Sequence, residues 1–171
     1  MGLYRVKQFI WAAFSKVTKD DIEYVNCILD TEEQKLFFML SVSEQKHCIR
    51  VAHDVEKFLE DIKDKSALSI SKEDFKKVAL LHDIGKIEKR INIIDKSLLV
   101  IMNKISPSNL RRLTKVKKVD VYFNHAEKGY EILKELKRYD DRFLYLVRNH
   151  HNNGIINDEE LDILKHADGL N

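Results

Sequence analysis

Ser71-Lys72-Glu73-Asp74-Phe75-Lys76-Lys77-Val78-Ala79-Leu80-Leu81-His82-Asp83-Ile84-Gly85-Lys86 carries both a helix and the chemistry at its end. Ser71 and Asp74, three residues apart, have the spacing of a helix N-terminal capping pair, and Phe75, Val78, Ala79 and Leu80 supply a face to bury. The segment predicts a helix ending at Leu81-His82-Asp83, with Gly85 in the place of a helix C-terminal glycine. An imidazole, a carboxylate and the ammonium of Lys86 thus follow directly on an apolar turn. Burying an Asp beside a His without partners costs several kcal/mol, a cost that a divalent cation offsets.

On either side of this segment the pattern stays helical. Leu3, Val6, Ile10, Ala13 and Val17 predict an amphipathic helix over 3–17, fitted to core or partner packing rather than to a membrane surface. Thr18 before Asp20-Asp21 starts a second helix, and Asp30 or Thr31 before Glu32-Glu33 a third. Ser43 opens a long one through His47, Val51, Val55, Phe58, Leu59 and Ile62. Downstream, Asp95 caps a helix through Leu98, Leu99, Ile101 and Met102, and Pro107-Ser108 marks a turn. Asp120 or Asn124, then Asp140-Asp141, then Asp158 introduce the remaining helices. No segment alternates as a strand does. The expected fold is all-α: an N-terminal helical extension over 1–43, packed on a core module over 44–171. The N-terminal helices also offer a surface for a homo-oligomer.

Composition agrees. The chain has 171 residues, five Gly and one Pro, with 44% hydrophobic and 34% charged residues. So few breakers exclude collagen and a turn-rich β-sandwich, and so large an apolar fraction excludes a disordered chain. Two cysteines, Cys27 and Cys48, make neither a disulfide framework nor a CxxC pair, which predicts reduced thiols and a cytoplasmic location. The apolar run Phe9–Phe14 is too short for a signal sequence, and no segment reaches the roughly 18 apolar residues of a membrane span. The net charge is only +2, but residues 86–118 hold ten basic side chains and two acids, +8, which leaves −6 for the rest. This basic stretch is a solvated face or a field that steers a polyphosphorylated substrate. No aromatics alternate with the basic residues, so nucleic acid is not the expected partner.

Seven histidines occur, and several stand beside acids or at helix ends. His47, His82-Asp83 and Asp168, in that order, resemble the H…HD…D signature of the HD superfamily of metal-dependent phosphohydrolases. His82-Asp83-Ile84-Gly85-Lys86 is similar to the HDIGK form of that signature. His125 through Leu133 resembles the family's H-x-x-x-G-x-x-I/L element, and Arg148-Asn149-His150-His151 the element whose histidine completes a binuclear site. The resemblance runs from about Ser43 to Asn171 and implies an HD-domain helical bundle.

It further implies one metal on His47, His82, Asp83 and Asp168 and a second on Asp83, His125 and His150, with Asp83 bridging. Such a donor set suits Fe or Mn first, with Mg, Co, Ni and Zn as alternatives. The implied activity is hydrolysis of a phosphoester or phosphoanhydride bond, in a nucleotide or small phosphorylated metabolite, by a bridging hydroxide. Asp83 and Lys86 are then catalytic, Lys86 and Arg50 contact substrate phosphate, and His151 replaces or supplements His150. Arg50 alternatively orients Asp83. His53 and His166 fall on no motif position and are read as ordinary surface or packing residues.

The layout is closest to that of the symmetrical diadenosine tetraphosphate hydrolases and to HD-GYP domains. The chain departs from the latter, because Asn152-Asn153-Gly154-Ile155-Ile156 follows His150-His151 where Gly-Tyr-Pro belongs, so a cyclic dinucleotide is not expected as substrate. Trinuclear members carry a glutamate four residues before the first histidine. Here that residue is Ser43, which favours two ions. A di-iron oxygenase on the same scaffold and a non-catalytic metal- or nucleotide-sensing module are the competing readings.

Overall fold

Thr18 begins the described helices with a reciprocal cap: its hydroxyl accepts from Asp21 N, and the Asp21 carboxylate accepts from Thr18 N. The computed structural model describes residues 16–61, 68–89 and 93–171. The expected helix over 3–17 lies outside these, save Lys16 and Val17, which are not helical. Helices α1 (Lys19–Ile28), α2 (Thr31–Met39), α3 (Val42–Asp61) and α4 (Lys72–Leu81) follow in order. A short 3-10 helix, Ile84–Glu88, leads on to α5 (Ile93–Ile105), α6 (Pro107–Arg111), α7 (Lys117–Glu135), α8 (Asp141–Asn149) and α9 (Glu159–Leu170). No strand occurs among the described residues, so the fold is all-α as expected.

The caps at Asp30, Ser71, Asp140 and Asp158 form at the predicted positions. Other starts differ. α3 begins one residue before Ser43, where the Ser41 hydroxyl accepts from Glu44 N. α7 begins at Lys117 after extended Val116, with no side-chain cap, so Asp120 lies in its first turn and Asn124 inside the helix. Asp95 is a first-turn residue of α5, and Pro107 is the first residue of α6 rather than only a turn.

One apolar cluster joins Val25 of α1 and Phe37 of α2 to Ile49, Val51 and Val55 of α3, Phe75, Val78 and Leu80 of α4, Leu133 of α7, Leu146 of α8 and Leu164 of α9. α3 packs on α4 and α9, and α7 on α8 and the 3-10 helix, which ties five of the segments to one another.

Gly85 is not a left-handed helix cap, since no described glycine has positive φ. Instead, a Cβ on it would lie 2.0 Å from the carbonyl oxygen of His125 and 2.7 Å from Gly129 N. Glycine is required because the 3-10 helix lies directly on the α7 backbone.

α9 is held at its N-terminus by buried Glu160, which accepts from Ile70 N at 3.0 Å, from Ser69 N and from Arg142 Nε. Glu160→Ala leaves two backbone donors and a guanidinium short of their acceptor. It is expected to cost roughly 2–4 kcal/mol, read as a lower urea midpoint at unchanged slope.

Candidate metal centre

Five segments deliver the site. His47 projects from α3, and His82 and Asp83 close α4. His125 lies within α7, His150 ends α8, and Asp168 sits in the last turn of α9. Asp83 has φ −97 and ψ 9, the bridge region in which active-site residues are often found, and its carboxylate caps no helix. It is only 1% exposed and turns each oxygen toward a different pair of rings. Oδ2 lies 3.6 Å from His47 Nε2 and 3.5 Å from His82 Nε2. Oδ1 lies 3.3 Å from His125 Nε2 and 3.8 Å from His150 Nε2. Asp168 closes the first side, with Oδ1 3.0 Å from His47 Nε2 and 3.8 Å from His82 Nε2. The six residues that the sequence singled out as ligands therefore converge.

Backbone carbonyls orient three of the rings. His82 Nδ1 donates to Ala79 O at 2.8 Å and His150 Nδ1 to Val147 O at 2.7 Å, while His125 Nδ1 faces Val121 O at 3.1 Å and Tyr122 O at 3.2 Å. A carbonyl can only accept, so each Nδ1 holds the proton, and in the neutral ring Nε2 is a lone pair. Burial pushes all three imidazoles toward that neutral form, His125 strongly and His150 down to about 4. The three Nε2 atoms and Asp83 Oδ1 are buried with no hydrogen-bond partner.

The carboxylates stay ionised. Burial alone raises an Asp, but at Asp83 it is outweighed first by the ammonium of Lys86, and at Asp168 by the hydrogen bond with His47. Lone pairs and anionic oxygens thus face one another in a largely buried space, and a cation satisfies both at once. Among the described residues two groups meet the distance requirement for a shared ion: His47, His82 and Asp83, and Asp83, His125, His150 and His151. His151 is half exposed and adds its Nδ1 3.7 Å from Asp168 Oδ2.

Lys86 reaches the site as the sequence placed it, with Nζ 2.5 Å from Asp83 Oδ2. Its second partner was not foreseen: buried Glu44 on α3 holds the same ammonium at 3.0 Å. Glu44 stands three residues before His47 and so shares its face of the helix, the one signal the sequence offers. Burial opposes the charge on Lys86, yet Asp83 and then Glu44 more than compensate, and its pKa is raised. Arg50 is half-buried on α3; burial lowers its pKa, with Asp21 of α1 working the other way. His53 lies tilted against Tyr24 with ring centroids 4.1 Å apart and faces Glu56, and His166 lies against Phe58 at 5.1 Å, both in ordinary contacts. An open groove of about 550 Å³, lined by Phe58, Asn157, Glu159, Asp162, Ile163 and His166, includes none of the six converging residues.

The family model of the HD domain matches residues 45–171. No curated protein and no solved structure matches the chain. The matched span contains all six converging residues together with Lys86 and Arg50, and leaves Glu44 one residue outside.

Proposed function

The chain belongs to the HD domain family, most of whose members are metal-dependent hydrolases, and from this we propose that it is a phosphohydrolase working with two divalent ions on a nucleotide or small phosphorylated metabolite. The observation that carries the reading is the set of buried, partnerless Nε2 atoms turned toward the two oxygens of one carboxylate.

In this reading His47, His82, Asp83 and Asp168 hold one ion, Asp83, His125 and His150 hold the other, and His151 stands ready as an added donor to the second. The mixed imidazole and carboxylate set favours Fe or Mn. Ions held there supply positive charge to a phosphoryl group and lower the pKa of a water. Two carboxylates against two divalent ions leave an excess of two positive charges, which attracts an anionic substrate. Lys86, its ammonium fixed between Glu44 and Asp83, contributes a further cation for a phosphoryl oxygen and keeps Asp83 ionised. Arg50 is assigned to substrate phosphate. The backbone carbonyls of Ala79, Val121 and Val147 hold three rings in the tautomer that leaves Nε2 free.

The test is metal analysis of protein purified without air, coupled to phosphate release from a panel of nucleotides. Close to two ions per chain and phosphate release that chelation abolishes are expected. Release that survives chelation refutes the metal-dependent reading, and oxygen uptake without phosphate release points to the oxygenase alternative. In the same assay His125→Ala is expected to lower the stoichiometry from about two to about one, because His125 faces only Oδ1 of Asp83. A value still near two removes His125 from the ligand set.

A further inference from the structure

Beyond the metal centre, α5, α6 and the start of α7 form a unit with a cluster of their own. Leu99, Leu110 and Val119, one from each helix, are buried together, with Tyr122 and Phe123 packed against them. An ion pair between Asp95 and Lys118 at 2.5 Å fastens the start of α7 to the first turn of α5. With that inner cluster formed, the unit still leaves large aliphatic side chains in water. Leu98, Met102 and Ile105 recur at the four- and three-residue steps of one helix stripe, and Leu113 and Val116 add to them from the connection into α7. Leu98 is 54% and Ile105 78% exposed, so Ile105 stands proud of the surface instead of lining a groove.

In this stretch of sequence the charge is one-sided. Residues 93–118 carry seven basic residues (Lys96, Lys104, Arg111, Arg112, Lys115, Lys117 and Lys118) against the single acid Asp95, which Lys118 already pairs. Arg112, Lys115 and Lys117 are exposed or partly so. A field that only steers a phosphorylated substrate has no use for exposed Leu, Ile and Met. A nucleic acid backbone has none either, and residues 93–118 contain no aromatic for bases to stack on. A unit that exposes both aliphatic side chains and the basic Arg112, Lys115 and Lys117 matches an anionic lipid surface, where apolar chains enter the headgroup–acyl boundary and basic side chains meet the lipid charge. We infer that the α5–α7 face docks the protein peripherally on an anionic lipid bilayer. No described helix is long and apolar enough to cross one, so the contact is superficial.

Sedimentation of the 171-residue chain with extruded vesicles tests this, using phosphatidylcholine alone and phosphatidylcholine mixed two to one with phosphatidylglycerol. Binding is expected to the mixed vesicles at low salt, to weaken toward an ionic strength of about 0.15 M, and to be absent with the neutral ones. Each basic side chain near such a surface is worth about fivefold in affinity, so K115E/K117E is expected to bind at least tenfold more weakly. L98S/I105S should lose a comparable factor while keeping the wild-type circular dichroism spectrum, since both side chains already lie in water.

No binding to the mixed vesicles at low salt overturns the proposal, as does equal binding to neutral ones. Full retention of binding by L98S/I105S reduces the contact to charge alone and overturns it too. Binding to a duplex oligonucleotide in place of vesicles, or a dimer in lipid-free buffer that I105S dissolves, would assign the face to a nucleic acid or to a second copy of the chain instead.

Discussion

Asp83→Ala is expected to yield protein with no bound metal and with phosphate release at background, a loss of more than the roughly 100-fold that even outer-shell partners of a metal command. The size follows from the position of one side chain. Oδ2 serves the His47 and His82 side and Oδ1 the His125 and His150 side, so a single deletion strips an oxygen from both groups. Among the described residues only Asp83 belongs to both groups. Asp168 approaches His47 and His82 with Oδ1 and reaches only exposed His151 with Oδ2, and each histidine contributes one nitrogen. The helical content is expected to survive, because Lys86 retains Glu44 as a partner and the apolar cluster beneath is untouched. Asp83→Asn separates charge from shape: it fills the same space, yet offers a neutral carbonyl and an amide that cannot balance a divalent ion, so it should fail almost as completely. Wild-type metal content in Asp83→Ala, measured on the folded variant by elemental analysis, would falsify the shared-ligand assignment.

Much of this centre was legible because its chemistry is written in residue type and order. His82 and Asp83 are neighbours at the end of a helix with a buried face, and the remaining histidines and Asp168 follow at helix positions that the apolar pattern also predicts. The Glu44–Lys86 pair was not legible. Its partners are 42 residues apart, and their meeting depends on how α3 lies against the 3-10 helix, which no local pattern encodes. The start of α7 was missed because no side-chain cap marks it at Val116. The stripe of α5 was visible as a periodic pattern, but periodicity does not say which apolar residues find an inner cluster and which stay in water. Leu99 is buried and Leu98 exposed, although both carry the same side chain.

The reason for Gly85 lay equally beyond the sequence, and it sets up a second large effect, on stability and on the centre together. Gly85→Ala is expected to lower stability by about 3 kcal/mol, the upper part of the overpacking range, and to reduce occupancy at the His125 side of the centre. The added methyl would sit 2.0 Å from His125 O, 2.7 Å from Gly129 N and 2.9 Å from His125 C, all backbone atoms, so no flexible side chain can yield. Either the 3-10 helix or α7 has to shift. Asp83 stands at the head of the first and His125 on the second, so any shift alters their 3.3 Å approach. The roughly 0.5–1 kcal/mol that alanine gains over glycine in helical backbone does not offset such a clash. For a chain of this size the net loss corresponds to a Tm lower by about 6–12 °C.

Two other glycines calibrate the effect. At Gly129 the nearest atoms to an added Cβ are Gly85 N at 3.3 Å, Ile84 Cγ2 at 3.4 Å and Val147 Cγ1 at 3.5 Å, so Gly129→Ala should cost less than about 1.5 kcal/mol. At Gly169, inside α9, nothing lies within 4 Å, and Gly169→Ala should raise stability by about 0.5–1 kcal/mol. Thermal unfolding of the three variants, with metal removed from all, should therefore rank them with Gly85→Ala lowest, Gly129→Ala between and Gly169→Ala above the wild type. A Gly85→Ala protein that melts with the wild type would mean that the close approach of the 3-10 helix to α7 is not what demands glycine beside the HD pair.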